Sequence, residues 1–95
     1  MFTFINRFTV RGDTTEFEKR IGQITGHMSR QPGFHSHRLL RSAKDSQVYV
    51  EIAEWDDAES HGRALRTEGF QRAVREVQEL ASADPAPFVP VTEAG

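Results

Sequence analysis

Glutamate and histidine side chains are the candidate proton acceptors in this sequence. Histidine titrates near neutral pH, and burial can raise the pKa of a glutamate toward the same range. Glu51, in a strand-like segment, and His61, ten residues later, are therefore candidate bases. A structural alternative stays open for each residue. Glu51 can form an ion pair with Arg38 on a paired strand, and for His61 exposure to solvent on a polar helix is favoured.

Trp55 is the one tryptophan in the chain, and it stands at the end of the same strand-like segment. Its flat ring can stack on a polycyclic aromatic molecule, and its indole N–H can donate a hydrogen bond. The structural alternative is a core aromatic at a strand end, which this residue taken alone favours.

The segment His35-Ser36-His37 has a spacing that suits metal binding. Alternate residues of a strand point to the same side, so both imidazoles can face one ion, with the Glu54 carboxylate opposite. That arrangement depends on an assumed strand register. The favoured alternative places the two histidines under a helix or near a pocket rim, and the sequence predicts no metal site.

Composition excludes several classes of function. The chain has 95 residues, 12 basic and 14 acidic, and a net charge of -2, which disfavours a nucleic-acid partner. The absence of cysteine removes disulfides, thiol catalysis, cysteine-ligated zinc and iron–sulfur clusters. No apolar run approaches the ~20 residues that cross a bilayer, and the first residues do not resemble a signal peptide. We therefore expect a cytoplasmic protein with a single domain over residues 1–95.

Apolar periodicity predicts a strand, a helix and a β-hairpin in the first part of the chain. Phe2–Val10 is rich in aromatic and β-branched residues and predicts the first strand. Thr15 and Glu18 have the spacing of a capping box, which predicts a helix start. That helix has an apolar face formed by Phe17, Ile21, Ile24 and Met28. Residues 34–42 and 47–55 predict two antiparallel strands joined by a short polar turn.

The later residues predict two helices and a last strand. Asp56 or Asp57 begins a helix that ends near Arg66. The next helix has apolar residues at helical spacing: Phe70, Val74, Val77 and Leu80. Residues 85–95 are predicted as a C-terminal edge strand or arm, with the strand at Phe88–Val91, because proline fits only at a sheet edge. The order β-α-β-β-α-β, with the second helix split, predicts the ferredoxin-like fold of the α+β class.

The predicted sheet has one face that the helices leave uncovered. If Ser42 pairs with Gln47, both faces of the sheet carry large apolar residues. We therefore expect the uncovered face to be buried against a second copy of the chain. The result is a homodimer with a dimeric α+β barrel. The predicted substrate-binding residues are Arg38, Tyr49, Glu51 and His61. In this register the first three share a face with Trp55.

Three segments of the chain resemble a known family. FINRFTVRG, QPGFHSHRLLR and YVEIAEWDDAESHGRAL, followed by GF and a helix, are similar to the antibiotic biosynthesis monooxygenase (ABM) domain. The resemblance extends over residues 2–91 and is greatest to the cofactor-independent anthrone oxygenases of aromatic polyketide pathways. It implies a ferredoxin-like homodimer with one cavity per subunit between the sheet and the helices.

The resemblance also implies roles for individual residues. The family's asparagine on strand one matches Asn6 and its tryptophan at the end of strand three matches Trp55, which makes these two the predicted catalytic residues. An asparagine NH2 group can donate to a phenolate or peroxide oxygen. The chain departs from many members at Glu51, where they have asparagine, and from some at His61, where they have tyrosine. Haem-degrading relatives have an iron-ligating histidine where this chain has Val74, so haem degradation is disfavoured.

The implied function is that of a monooxygenase. The substrate would be a polycyclic aromatic polyketide intermediate of the anthrone type, oxidised to a quinone by O2 without metal, flavin or other cofactor. Two alternatives stay open: a non-oxidative cyclase of the same family, and a dimeric protein that binds a small aromatic molecule without turnover.

Overall fold

Four strands and three helices form the protein, and the computed structural model describes residues 1–95. The elements are β1 (Phe2–Val10), α1 (Thr14–Met28), β2 (Phe34–Arg41), β3 (Val48–Trp55), α2 (Ala58–Leu65), α3 (Glu68–Leu80) and β4 (Ala81–Phe88). This order confirms the predicted ferredoxin-like fold, with the second helix split into α2 and α3. None of the three helices has the length and apolar character that a bilayer crossing requires.

The strands form one antiparallel sheet in the order β2-β3-β1-β4. Alternate residues point to opposite sides, and one side packs with residues of all three helices in a single core cluster. Phe8 of β1 and Phe17 of α1 both belong to this cluster, with ring centroids 5.1 Å apart. The other side, here called the open face, is not covered by the helices. Its residues include Thr3, Ile5, Arg7, Arg38, Leu40, Val50, Ile52, Glu54, Asp84 and Phe88.

Each helix begins at a side chain that accepts hydrogen bonds from the first turn. Asp13 caps α1 by accepting from the backbone N–H groups of Thr15 and Glu16 at 2.9 and 3.2 Å. The predicted start at Thr15 is therefore wrong, because the Asp13 carboxylate satisfies these donors earlier in the chain. Asp57, one of the two residues predicted for this role, caps α2, and Thr67 caps α3.

The last strand differs from the prediction. β4 starts at Ala81, directly after α3, and includes Pro85 and Pro87, whereas the sequence pattern placed the strand at Phe88–Val91. The prediction of an edge strand is confirmed, since β4 pairs only with β1. Proline has no N–H group to donate to a neighbouring strand. In an edge strand this removes no hydrogen bond from the sheet when the proline nitrogen faces solvent. The helix ends at Leu80, before the prolines, which lie within the strand.

A β-bulge in β2 moves the hairpin register by one residue. Phe34 pairs with Trp55, as predicted, but the next pairing joins Ser36 to Glu54, so His35 is an extra residue. Every later residue of β2 therefore turns to the side opposite the predicted one. The bulge places Arg38 on the open face and His37 on the helical side, so the predicted ion pair between Arg38 and Glu51 is wrong.

Gly33, which precedes the bulge, provides a prediction about stability. Its φ of +92° favours glycine, and an added Cβ atom would lie 2.5 Å from both Cβ and Oγ of Ser60. We expect Gly33→Ala to lower the free energy of unfolding by about 3 kcal/mol, from backbone strain and overpacking together. Urea unfolding followed by circular dichroism measures the change.

Gly12 is the matched control for this substitution. Its φ is +108°, but a Cβ atom added to it would have no other atom within 4 Å. Gly12→Ala should therefore cost only the backbone strain, about 1 kcal/mol. Equal losses in the two variants would show that the contact with Ser60 does not constrain the chain.

Candidate active site

A cavity of about 410 Å³ lies between the helical side of the sheet and the three helices. Its size is within the range of small-molecule sites, ~300–1,000 Å³. Of the 22 residues that line it, 14 are hydrophobic, among them Phe4, Phe34 and Phe70. Its polar groups are Asn6, Thr25, His37, Glu51, His61, Gln71 and Gln78. An apolar chamber with a few polar groups suits a largely apolar ligand that carries oxygen atoms.

The structure brings both predicted catalytic residues, Asn6 and Trp55, into the cavity wall, together with Glu51 and His61. Arg38 and Tyr49 do not line the cavity. Arg38 is exposed on the open face, because the bulge reverses its direction.

Tyr49 belongs to the core rather than to the cavity. It is 2% exposed, and its ring lies 4.9 Å from that of Phe17. Its hydroxyl donates to Glu18 at 2.5 Å. Burial, together with the hydrogen bond and the charge of Glu18, raises the pKa of the Tyr49 phenol. The ring therefore connects β3 to α1 and takes no part in the candidate site.

Asn6 lies on β1 directly across from Glu51 on β3. Its side-chain oxygen accepts the backbone N–H of Asp84 at 3.1 Å, which defines the orientation of the amide. The NH2 group has no acceptor in the protein. Every fully enclosed side-chain nitrogen or oxygen has a hydrogen-bond partner, so an atom without one is accessible. The NH2 group is therefore open to the cavity as a donor.

Trp55 is both a core residue and a wall of the cavity. It is 1% exposed and meets Phe34 edge to face, with centroids 5.4 Å apart and an interplanar angle of 88°. The His61 ring approaches it at the same centroid distance, 5.4 Å, with an angle of 61°. The indole therefore packs against two other rings, which limits the orientations that it can adopt.

His61 is buried, although exposure to solvent was the favoured expectation. It is 6% exposed, and its ring centroid lies 4.6 Å from that of Phe4 and 5.3 Å from that of Phe2. The sequence around it is polar, but α2 turns this position toward the sheet. Burial lowers the pKa of His61, and the charge of Glu51 opposes this change only in part.

His37 is the functional candidate that sequence reasoning did not select. Its Nε2 atom lies 2.9 Å from Oε2 of Glu51 and 3.3 Å from Oγ1 of Thr25. The alternation His35-Ser36-His37 is the signal for it, but that spacing pointed to a metal motif rather than to a partner for Glu51. His35 instead pairs with Asp56, and no three His, Asp or Glu side chains are grouped so as to hold a metal ion.

Comparison with known proteins identifies the family. Residues 1–76 match the family model described as antibiotic biosynthesis monooxygenase. The chain belongs to this family. The resemblance found from the sequence segments is thereby confirmed.

Individual relatives of this ABM protein agree with the assignment. Deoxynogalonate monooxygenase of Streptomyces nogalater is 46% identical over 68 residues, which are 72% of this chain and 58% of that protein. The crystal structure of SnoaB, a cofactor-independent oxygenase from Streptomyces nogalater, superposes with a TM-score of 0.94 at 36% identity. That match covers 97% of this chain and 94% of SnoaB. PA3566 from Pseudomonas aeruginosa has the same fold, with a TM-score of 0.83, 20% identity and coverage of 96% and 94%.

His61 should make the stability of this ABM protein depend on pH. A histidine whose pKa is lowered by folding binds protons more readily in the unfolded chain, so acid favours unfolding. The contribution of His61 to the free energy of unfolding is complete above pH 6.5, the ordinary pKa of histidine. It is lost as the pH falls toward the lowered pKa of the folded state. We expect His61→Phe, which keeps an aromatic ring, to lose less stability than the native chain over this interval. Thermal melts of both proteins between pH 5 and 8 test this, and parallel curves would contradict it.

Proposed function

We propose that this ABM protein is a cofactor-independent monooxygenase. Its substrate would be an anthrone-type polycyclic aromatic polyketide intermediate, which it oxidises to a quinone with O2. The observation that carries the proposal is the apolar cavity in which the donor of Asn6 and the carboxylate of Glu51 lie side by side. The oxygenase functions of deoxynogalonate monooxygenase and SnoaB support it. The match to the first of these covers only 58% of that protein, so the activity is taken over as a proposal.

Oxidation of an anthrone by O2 requires two things from the protein: proton transfer and stabilisation of the negative charge that develops. Loss of a C–H proton from the methylene carbon leaves a carbanion that is delocalised into the anthrone carbonyl. The carbanion reduces O2 and forms a C–O bond, which gives a peroxide on that carbon. Loss of the second C–H proton with cleavage of the O–O bond yields the new carbonyl and one water molecule. One O2 is consumed for each quinone formed, and no external reductant is needed.

Asn6 and Trp55 have separate roles in this proposal. The Asn6 NH2 group donates a hydrogen bond to the oxygen on which negative charge develops, either the enolate or the peroxide. Trp55 supplies an aromatic wall that aligns the fused rings with the polar side of the cavity. The apolar remainder of the cavity excludes water and so strengthens the hydrogen bond from Asn6.

Oxygen consumption with dithranol, an anthrone, tests the function. We expect uptake of one O2 per dithranol at a rate far above that of heat-denatured protein, unchanged by EDTA or by added flavin. A cyclase or a binding protein would quench the Trp55 fluorescence with dithranol but consume no O2 above background. That result would overturn the proposed oxygenase function.

We also propose that the protein is a homodimer that forms through the open face. Ile5 and Ile52 lie opposite each other at its centre, and Leu40 and Phe88 at its margins are 40% and 49% exposed. The same face carries charges of both signs, Arg7, Arg38, Glu54 and Asp84. A two-fold interface must be complementary to itself, and a face with both apolar residues and opposite charges meets this requirement. The cytoplasmic location stays a prediction.

A further inference from the structure

The roles of Asn6 and Trp55 leave the acceptor of the substrate proton unassigned. The hydrogen-bonded pair of His37 and Glu51 lines the same cavity. We propose that Glu51 is the base that removes the substrate proton and that His37 positions its carboxylate. The proposal rests on the proposed function, since it names the proton acceptor of that reaction. Both side chains are largely enclosed, with 15% and 11% of their side-chain surface exposed.

The hydrogen bonds around His37 define which atom of Glu51 is available. The Thr25 hydroxyl donates to the carbonyl oxygen of Ile21 at 3.0 Å, so its oxygen can only accept from His37. The nitrogen Nε2 of His37 therefore carries a hydrogen, which it shares between Oε2 of Glu51 at 2.9 Å and the more distant Thr25 hydroxyl at 3.3 Å. This is the arrangement of a base oriented by a neighbouring group.

The second carboxylate oxygen of Glu51, Oε1, makes no hydrogen bond to the protein. Since no fully enclosed side-chain oxygen lacks a partner, Oε1 is open to the cavity. It lies on the same side of the sheet as the Asn6 amide, directly across the β1–β3 pair. A ligand that places a C–H group at Oε1 can therefore place its carbonyl oxygen near the Asn6 donor.

The proton transfers then balance. Oε1 takes the first proton from the methylene carbon, and the electron pair stays on the substrate. After O2 adds, the Glu51 acid gives that proton to the peroxide anion and becomes a carboxylate again. It then takes the second C–H proton while the O–O bond breaks and hydroxide leaves. Transfer of that proton to hydroxide forms water and restores the carboxylate.

His61 is the competing base, and its surroundings suit this role less well. No hydrogen bond orients its ring, which is packed among Phe2, Phe4 and Trp55. Burial also lowers the pKa of His61, which weakens it as a proton acceptor. The packed His61 ring can contact the substrate, but no hydrogen-bonding group of the protein directs its nitrogen atoms.

Few titratable or charged groups besides His37 face Glu51 in the cavity. From α2 comes His61, from α1 the uncharged Thr25, and from β1 the uncharged Asn6. The cavity residues of α3 and β4 carry no charge. His37 and His61 are therefore the titratable neighbours of Glu51 in the cavity.

Steady-state oxidation of dithranol tests the assignment. We expect Glu51→Gln to lower kcat/KM by about 10²- to 10⁴-fold, the usual contribution of a general base. Glu18→Gln, which removes a carboxylate outside the cavity, should retain the native rate. We expect His61→Phe to lose less than Glu51→Gln by at least about tenfold. A larger loss in His61→Phe, or a native rate in Glu51→Gln, would overturn the proposal while the oxygenase function stands.

The positioning role of His37 has its own readout. His37→Phe removes the N–H donor to Oε2, so the acidic side of the kcat/KM profile should move to higher pH. His37→Gln keeps an N–H donor and should move the profile back toward the native one. A merely structural role would lower the rate at all pH values without moving the profile, and that result would overturn the role of His37.

Anaerobic mixing separates the base from the oxygenase. Without O2, an excess of native protein should generate the coloured dithranol anion, and Glu51→Gln should not. Anion formation without O2 uptake would leave Glu51 as the base but overturn the oxygenase function. If the native protein forms no anion under these conditions, the assignment of Glu51 is overturned.

Discussion

Replacing Asn6 with aspartate is expected to lower kcat on dithranol by about 10²- to 10³-fold, the effect of losing one donor aimed at developing charge. Aspartate has nearly the same shape, and one of its oxygens can still accept the backbone N–H of Asp84. It lacks the NH2 donor, however, and it adds a negative charge opposite Glu51. Oxygen uptake under saturating dithranol measures the loss.

Two comparisons separate the lost donor from other effects of this substitution. Asn6→Ala removes the donor without adding a charge, so a similar loss in both variants assigns the effect to the NH2 group. The melting temperature of Asn6→Asp, measured by circular dichroism, shows whether the Asp84 hydrogen bond still holds β4 to β1. If Asn6→Ala keeps the native kcat, the proposed role of Asn6 is wrong.

Replacing Ile52 with glutamate is expected to convert the dimer to a monomer. Ile52 lies at the centre of the open face, opposite Ile5. A carboxylate there would bring a new charge into the interface on each copy, and its cross-strand neighbour Arg38 offsets only part of the cost of removing that charge from water. We therefore expect the dissociation constant to rise by at least about 100-fold. Light scattering after size exclusion at micromolar concentration should give twice 10.8 kDa for the native protein and 10.8 kDa for the variant.

Gln23→Glu is the matched control for the dimer. It makes the same change of charge on the exposed surface of α1, away from the open face, and it should remain a dimer. A native protein with a mass of 10.8 kDa at this concentration would contradict the homodimer. A dimeric Ile52→Glu would show that the copies meet through another surface.

Local patterns were sufficient to predict most elements of the fold. The apolar stripe of α1 and the alternation in β1 and β3 predicted elements that the structure contains. The cap of α2 was predicted as Asp56 or Asp57, and the structure has Asp57, since a helix start depends on bonds within a few residues. β4 was misplaced because prolines are compatible with a strand only when it lies at an edge, and the position in the sheet depends on the other strands.

The candidate site was predictable only in part. Asn6 and Trp55 stood at recognisable positions, and both line the cavity. The place of Glu51 in the cavity was also foreseen, but its partner was not. Arg38 was assigned to it in a register that ignored the bulge, and the bulge brings His37 there instead.

The sequence alone determined the order of strands and helices, the family, and the residue types available for proton transfer and hydrogen bonding. These depend on periodicity, capping and motifs, which are local along the chain. The tertiary structure alone decided that His37 rather than Arg38 meets Glu51, that His61 is buried, and that Tyr49 belongs to the core. For His37 and Arg38 the physical reason is that one extra residue in β2 reverses every later side chain of that strand, and no local pattern of apolar and polar residues records such an insertion. His61 and Tyr49 are buried by contacts with Phe4 and Phe17, which are distant from them in the chain.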